Sequence, residues 1–291
     1  MKLLLPLTLP VALLLAFGVG VLFWALVSHI RFESYFKDAL TRPSRLGFRG
    51  WLSFYGKTLV GAYILLWWSV RAAFQTALRN PDGSIQARPV LCIHGLFMNS
   101  TCMWGIRQRL ERVGHPTRGV FMGAPLPSPL SYAKPLAKVM RGLAAQFPEE
   151  GFDIVAHSIG GVMVREVLRR EPELAPSVHR IVTLGSPHQG TAVVRWIKFG
   201  PLYNMLALDS EYLQNLDTFQ TLAPHSKVTT IGTLNDLVVY PEFVCHLEGS
   251  SRVTLDEISH LGLMTNPRAL DEVERALAPR AGRLVSPADL G

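Results

Sequence analysis

The chain has 291 residues, 48% hydrophobic and 18% charged, with three cysteines and a formal net charge of +7. The charge is not spread evenly: residues 31–79 carry eight Lys and Arg against two acids, whereas residues 80–291 carry twenty of each sign. A basic excess confined near an apolar terminus marks an anionic lipid surface or the cytoplasmic side of a membrane. It excludes nucleic acid as the expected partner.

Residues 3–30 contain no Asp, Glu, Lys or Arg. As a helix rising 1.5 Å per residue, such a stretch exceeds the roughly 30 Å of a bilayer's hydrocarbon. Trp24-Ala25-Leu26-Val27-Ser28-His29 offers no convincing cleavage site, so a retained anchor is expected rather than a signal peptide. A second apolar stretch, residues 51–70, contains Lys57 and is flanked by Trp51, Trp67 and Trp68. It is either a second span, with Lys57 snorkelling to the interface, or an in-plane helix. The region 1–79 therefore reads as a membrane anchor of one or two helices with a basic loop at 31–50, held in the cytoplasm by the positive-inside rule. If 51–70 crosses, the remainder faces the periplasmic side of a bacterial inner membrane, and that topology is favoured.

Asn80-Pro81-Asp82-Gly83-Ser84 has the residues of a linker. Beyond it, residues 80–291 have the length of one domain, with strand and helix patterns alternating, which predicts a mainly parallel sheet flanked by helices. No repeat or low-complexity tract interrupts it. Pro89-Val90-Leu91-Cys92-Ile93 reads as a strand buried on both faces, ending in His94-Gly95-Leu96. Cysteine content does not settle the compartment. Cys92 belongs to this strand, and Cys102 and Cys245 could pair only if the fold joined them in an oxidising environment.

The most informative stretch is Asp153-Ile154-Val155-Ala156-His157-Ser158-Ile159-Gly160-Gly161. An apolar strand runs into a serine flanked by small residues, Ala156 and Gly160, and then directly into a helix. A turn that sharp holds a hydroxyl clear of the backbone and aims the helix N-terminus at the same point. This pattern resembles the nucleophile elbow of the α/β-hydrolases, specifically bacterial lipases and esterases with an Ala-His-Ser-x-Gly motif. The departure from G-x-S-x-G is Ala156. The resemblance implies an α/β-hydrolase fold after the membrane-anchoring region, with Ser158 as nucleophile. It also implies that His94 and Gly95 shape an oxyanion loop, and that the N–H groups of Leu96 and Ile159 form the oxyanion hole. His157 and Gly160 support the motif.

Arg180-Ile181-Val182-Thr183-Leu184-Gly185-Ser186-Pro187-His188-Gln189-Gly190 is a strand and turn similar to one that follows the elbow helix in such lipases. There His188 is expected to be structural. Residues 192–206 show helical apolar spacing. By the same resemblance, 192–221 would hold lid helices; an ordinary core-packing helix is the alternative.

The family order places an acid and then a histidine after the nucleophile. Asp236 follows the β-branched strand Val228-Thr229-Thr230-Ile231-Gly232-Thr233, in a loop at the rim that Ser158 should occupy. Its alternative reading is an Asx-turn residue. Asp153 would lie at the far end of the sheet. Among nine histidines, His260 is the expected base, because it follows the alternating strand Ser251-Arg252-Val253-Thr254-Leu255 and precedes a final helix from Pro267 to Leu277. His246 is its rival. The set Ser158, Asp236 and His260 implies a membrane-anchored serine hydrolase cleaving carboxylic esters, lipid esters above all, with no cofactor and no metal. The ester substrate and the membrane are its expected partners; protein partners are left open. Acyltransferase or thioesterase chemistry on the same fold is the alternative, and an inactive interaction module is a further one.

Overall fold

The structure, a computed structural model, describes residues 87–123, 128–196 and 200–278, together with Gly56 and Leu59. Apart from those two residues, the expected anchor at 1–79 and the linker at 80–84 lie outside the described residues. Among the described residues, no helix is long and apolar enough to cross a membrane.

Six strands form one sheet: β1 (Val90–Ile93), β2 (Thr117–Gly119), β3 (Phe152–His157), β4 (Val178–Leu184), β5 (Lys227–Thr233) and β6 (Ser251–Leu255). All pair in parallel, in the order β2-β1-β3-β4-β5-β6. Parallel strands require long crossovers, and these are supplied chiefly by helices α1 (Trp104–Arg112), α2 (Ala133–Gln146) and α3 (Ile159–Arg170). The predicted mainly parallel sheet flanked by helices is the fold observed.

Alternation along β1 sorts the core into two layers. Leu91 and Ile93 point into a cluster with Ile154, Ala156 and residues of α2 and α3, including Leu136, Met140, Val164 and Val167. Val90 and Cys92 point the other way, into a cluster with Val155, Val182, Ile106 and Leu110 of α1, and Ala269 and Val273 of α7 (Pro267–Leu277). Both faces of β1 are thus covered, which is why its sequence reads as an unbroken apolar run. Arg109 ties α1 to α7 through Asp271 at 2.7 Å and Glu274 at 2.5 Å.

Between β4 and β5 lie a short 3-10 turn (Ala192–Trp196) and three short helices, α4 (Gly200–Leu206), α5 (Glu211–Gln214) and α6 (Phe219–Leu222). Met205, Leu206, Leu213, Leu216 and Phe219 are buried in the larger core cluster. Buried Arg165 of α3 donates to the carbonyls of Asp217 and His188, each at 2.9 Å, and to that of Leu216. Over the described part of this stretch the apolar side chains thus pack on the core.

The chain runs from β1 outward to β2, then crosses back over β1 to β3 and proceeds the other way. That reversal falls at the carboxyl ends of β1 and β3, the position where open α/β sheets bind their ligands. His94, Gly95 and Ser158 follow directly on those two strand ends.

Candidate active site

Ser158 sits between β3 and α3 with φ 55° and ψ −130°, a conformation L residues rarely adopt. Its N–H donates to the carbonyl of Leu184 at 2.8 Å, which pins the turn to the end of β4. The small residues after it are required by close approach. A Cβ on Gly160 would lie 2.9 Å from the His94 carbonyl oxygen, and one on Gly161 would lie 2.4 Å from Ser186 Oγ. Ile159 is the first residue of α3, so its N–H has no acceptor within the helix and faces the dipole-positive end.

The opposing loop begins at His94, which is fully buried. Its Nδ1 is 2.8 Å from the Gly95 carbonyl oxygen, and the Met122 N–H donates to its Nε2 at 3.4 Å. A carbonyl accepts and an amide donates, so the proton is on Nδ1. Burial pushes this imidazole down to about 4, leaving it neutral near pH 7. His94 is thus a brace between the loop and the segment after β2, in keeping with a role without proton transfer. Leu96 and Phe97 form the turn that follows. Phe97 has φ 55° and is 78% exposed, and its N–H donates to the Tyr132 hydroxyl at 3.3 Å. Tyr132 was not singled out in the sequence, because nothing in Pro129-Leu130-Ser131-Tyr132 signals a partner 35 residues upstream.

Asp236 and His260 meet. His260 Nδ1 is 2.7 Å from Asp236 Oδ2, with both residues buried. The other carboxylate oxygen accepts from the N–H groups of Val238 and Val239, each at 2.8 Å. The Asx-turn reading of Asp236 therefore holds, and it leaves the second carboxylate oxygen to His260. Gly185 adopts φ 53°, and a Cβ there would lie 3.0 Å from His260 Nδ1 and 3.1 Å from Asp236 Oδ2. The block 180–191 thus makes room for the pair, a role its sequence did not disclose.

The rival histidine lies elsewhere. His246 Nδ1 is 2.8 Å from Thr230 Oγ1 and its Nε2 is 2.6 Å from Glu242 Oε1, so both ring nitrogens are engaged away from Asp236. With Cys245 these residues are the only metal-like donor group among the described residues, their ligand atoms within 4.8 Å of one another. The donor set fits an ion poorly: Glu242 and His246 already satisfy each other, and burial pushes the Cys245 thiol well above its ordinary value. All three cysteines are buried and unbonded to one another, so Cys102 and Cys245 form no disulfide here. His188 is buried, with Nε2 3.1 Å from Thr183 Oγ1 and its ring edge-on to Phe219. Asp153 is at the other end of β3, facing Arg88 and Arg180.

The strand order and the strained serine at its reversal point place the chain among the α/β-hydrolases. Within that class it belongs to the palmitoyl protein thioesterase family, whose model matches residues 89–242. The matched span takes in Ser158 and Asp236, and His260 lies beyond it. Among solved structures, the chain is similar to the mature form of the lipase BlEst2 from Bacillus licheniformis. The identity is 17% and the TM-score 0.54, over 70% of this chain and 96% of that one. It is also similar to lipase B of Aspergillus fumigatus, at 18% identity and a TM-score of 0.57, over 67% of this chain but only 54% of the lipase. At such identities the likeness is one of fold. No curated protein matches the chain in sequence.

Proposed function

We propose that this chain is a serine acyl-hydrolase that cleaves carboxylic esters of lipid-like acyl groups through an acyl-enzyme. The observation that carries the reading is the buried Asp236–His260 bond of 2.7 Å, delivered to the rim where the elbow raises Ser158. His260 Nε2 takes the Ser158 proton as Oγ bonds to the acyl carbon. Asp236 fixes the imidazole through Nδ1 and stabilises it when charged. The N–H groups of Leu96 and Ile159 receive the oxyanion. Collapse breaks the bond to the leaving group, which departs with the proton from His260. Water then attacks the acyl-enzyme by the same path and releases a carboxylic acid. The family match favours a second reading, in which the bond broken is a thioester. The two share every protein group and differ in the leaving atom.

The test is a hydrolysis profile of the detergent-solubilised protein over p-nitrophenyl esters of rising chain length, set beside acyl thioesters of the same chains. Turnover that rises with chain length on esters supports the first reading. A kcat/KM at least about tenfold higher on thioesters, some 1.4 kcal/mol of transition-state preference, would select the second. A folded protein silent on both would end both readings and leave the interaction module.

The anchor is proposed on the same footing. The charge-free stretch 3–30 and the basic loop 31–50 support insertion with that loop in the cytoplasm. A crossing at 51–70 then puts the hydrolase on the periplasmic face. A reporter active only in the periplasm, fused after Gly83, is expected to give signal. A signal from a cytoplasmic reporter at the same position would mean a single span and a hydrolase facing the inner leaflet.

A further inference from the structure

His157 ends β3 beside Ser158, fully buried, and its side chain lies between the two loops that flank the serine. Its Nε2 is 3.1 Å from the main-chain oxygen of His260, and the two imidazole centroids are 4.5 Å apart at 49°. A carbonyl oxygen only accepts, so Nε2 carries the proton. Nδ1 is then a bare lone pair, and it is buried without a partner. It faces the oxyanion loop: a Cβ on Gly95 would lie 3.0 Å from Nδ1 and 3.0 Å from Ser158 Cβ.

The loop that carries His260 needs such a hold. Thr233 Oγ1 fastens it at the Ile258 carbonyl at 2.7 Å, and Asn235 Oδ1 fastens it at the Glu257 N–H at 2.8 Å. Neither bond reaches His260 itself, whose imidazole is held at one nitrogen by Asp236. Arg268 adds a bond to the Asp256 carbonyl at 3.2 Å, and at His260 itself the main-chain tether is the one from His157.

We propose that His157 is the positioning residue of the base, its Nε2–H fixing the His260 main chain and its ring fixing the place of the His260 imidazole beside Ser158. This rests on the assignment of His260 as base. Burial, and after it the neighbouring His260, push the His157 imidazole well below its ordinary value. An uncharged ring therefore lies against His260 at the moment His260 becomes charged. A merely structural histidine would need the volume but not the proton on Nε2.

The substitutions follow from that distinction. His157→Phe keeps a ring of similar size without a donor, and His157→Gln places an amide N–H near the Nε2 position. In the solubilised full chain, His157→Phe is expected to lower kcat by about 10²-fold with KM within about twofold, the loss expected when a reacting group is misplaced by about 1 Å. His157→Gln is expected to restore kcat to within about fivefold of wild type, since the tether is what the phenyl ring lacks. Labelling of Ser158 by a fluorophosphonate should slow in parallel in His157→Phe. Wild type that fails to label at all would overturn the hydrolase reading. Wild type that labels while His157→Phe labels as fast would overturn the positioning role and leave the hydrolase reading intact. Failure of a folded His157→Gln to recover turnover would overturn it as well. Should His157→Phe not fold, ¹⁵N-histidine NMR of the wild-type protein decides: a neutral ring protonated on Nε2 is required, and a ring protonated on Nδ1, or on both nitrogens at neutral pH, overturns the proposal.

Discussion

Replacing Ser158 by alanine is expected to lower kcat by on the order of 10⁶-fold, to the residue left by binding and the oxyanion hole alone. The substitution removes one oxygen from a turn that Leu184 already holds through the main chain, so the melting temperature should hardly move. A glycine at the same place should be equally inactive but more stable. With φ 55° and ψ −130°, position 158 stores strain that only glycine relieves, about 1–3 kcal/mol for such sites. Denaturant melts of the two variants side by side check this. Turnover in Ser158→Ala within about tenfold of wild type would remove Ser158 as nucleophile, since loss of a nucleophile costs far more. A glycine variant no more stable than the alanine one would mean that the elbow carries no strain.

His260→Ala should be about as damaging as Ser158→Ala, and the double variant scarcely worse than either, because groups acting as one unit lose their effect together. Asp236→Asn should cost about 10⁴-fold in kcat, since an amide in place of Oδ2 no longer selects the imidazole tautomer with its proton on Nδ1. The measurement is the set of single and double variants assayed with one substrate. An additive double variant would show that Ser158 and His260 do not share a proton. His246→Ala separates the two candidate bases, because His246 engages Thr230 and Glu242 and not Asp236. If His246→Ala, still folded, abolished turnover while His260→Ala did not, the base would be misassigned.

Much of this arrangement was legible because it is written in contiguous residues. The doubly buried strand 90–93 shows as an apolar run, the elbow as a serine between small residues, and the last helix as a periodic stretch bounded by Pro267 and Leu277. The pairing of Asp236 with His260 followed from the order of acid and base that the hydrolase resemblance implies, applied to the strand ends. What escaped depends on partners far apart in the chain. Strand β2 is three residues, Thr117-Arg118-Gly119, with no apolar alternation, and it exists because the main chain of β1 pairs with it. Arg107 is buried because Thr117 supplies a hydroxyl at 2.9 Å, which no local pattern announces. Helical spacing in 192–206 was visible, but spacing does not say which surface a helix covers, and Met205 and Leu206 cover the core. Gly185 looked like turn punctuation, whereas its lack of a side chain leaves space for the acid and the base.

The separation along the chain between the two sides of the site has a consequence for biosynthesis. The bond from His157 to His260 closes a loop of 103 positions, and the acid lies only 24 positions before the base. A ribosome delivers a chain from its N-terminus at about 5–20 residues per second, so the serine emerges several seconds before the histidine. During that interval the apolar N-terminal stretch is already available to a membrane, and the elbow can form on β1, β3 and β4 without β6. With His260 as the proposed base, the nascent hydroxyl has no base beside it until the last strand and the loop after it have docked. On the proposed roles of Ser158 and His260, acyl transfer is thereby withheld from every incomplete chain, and a chain ending before residue 260 lacks its base however well its first five strands have folded.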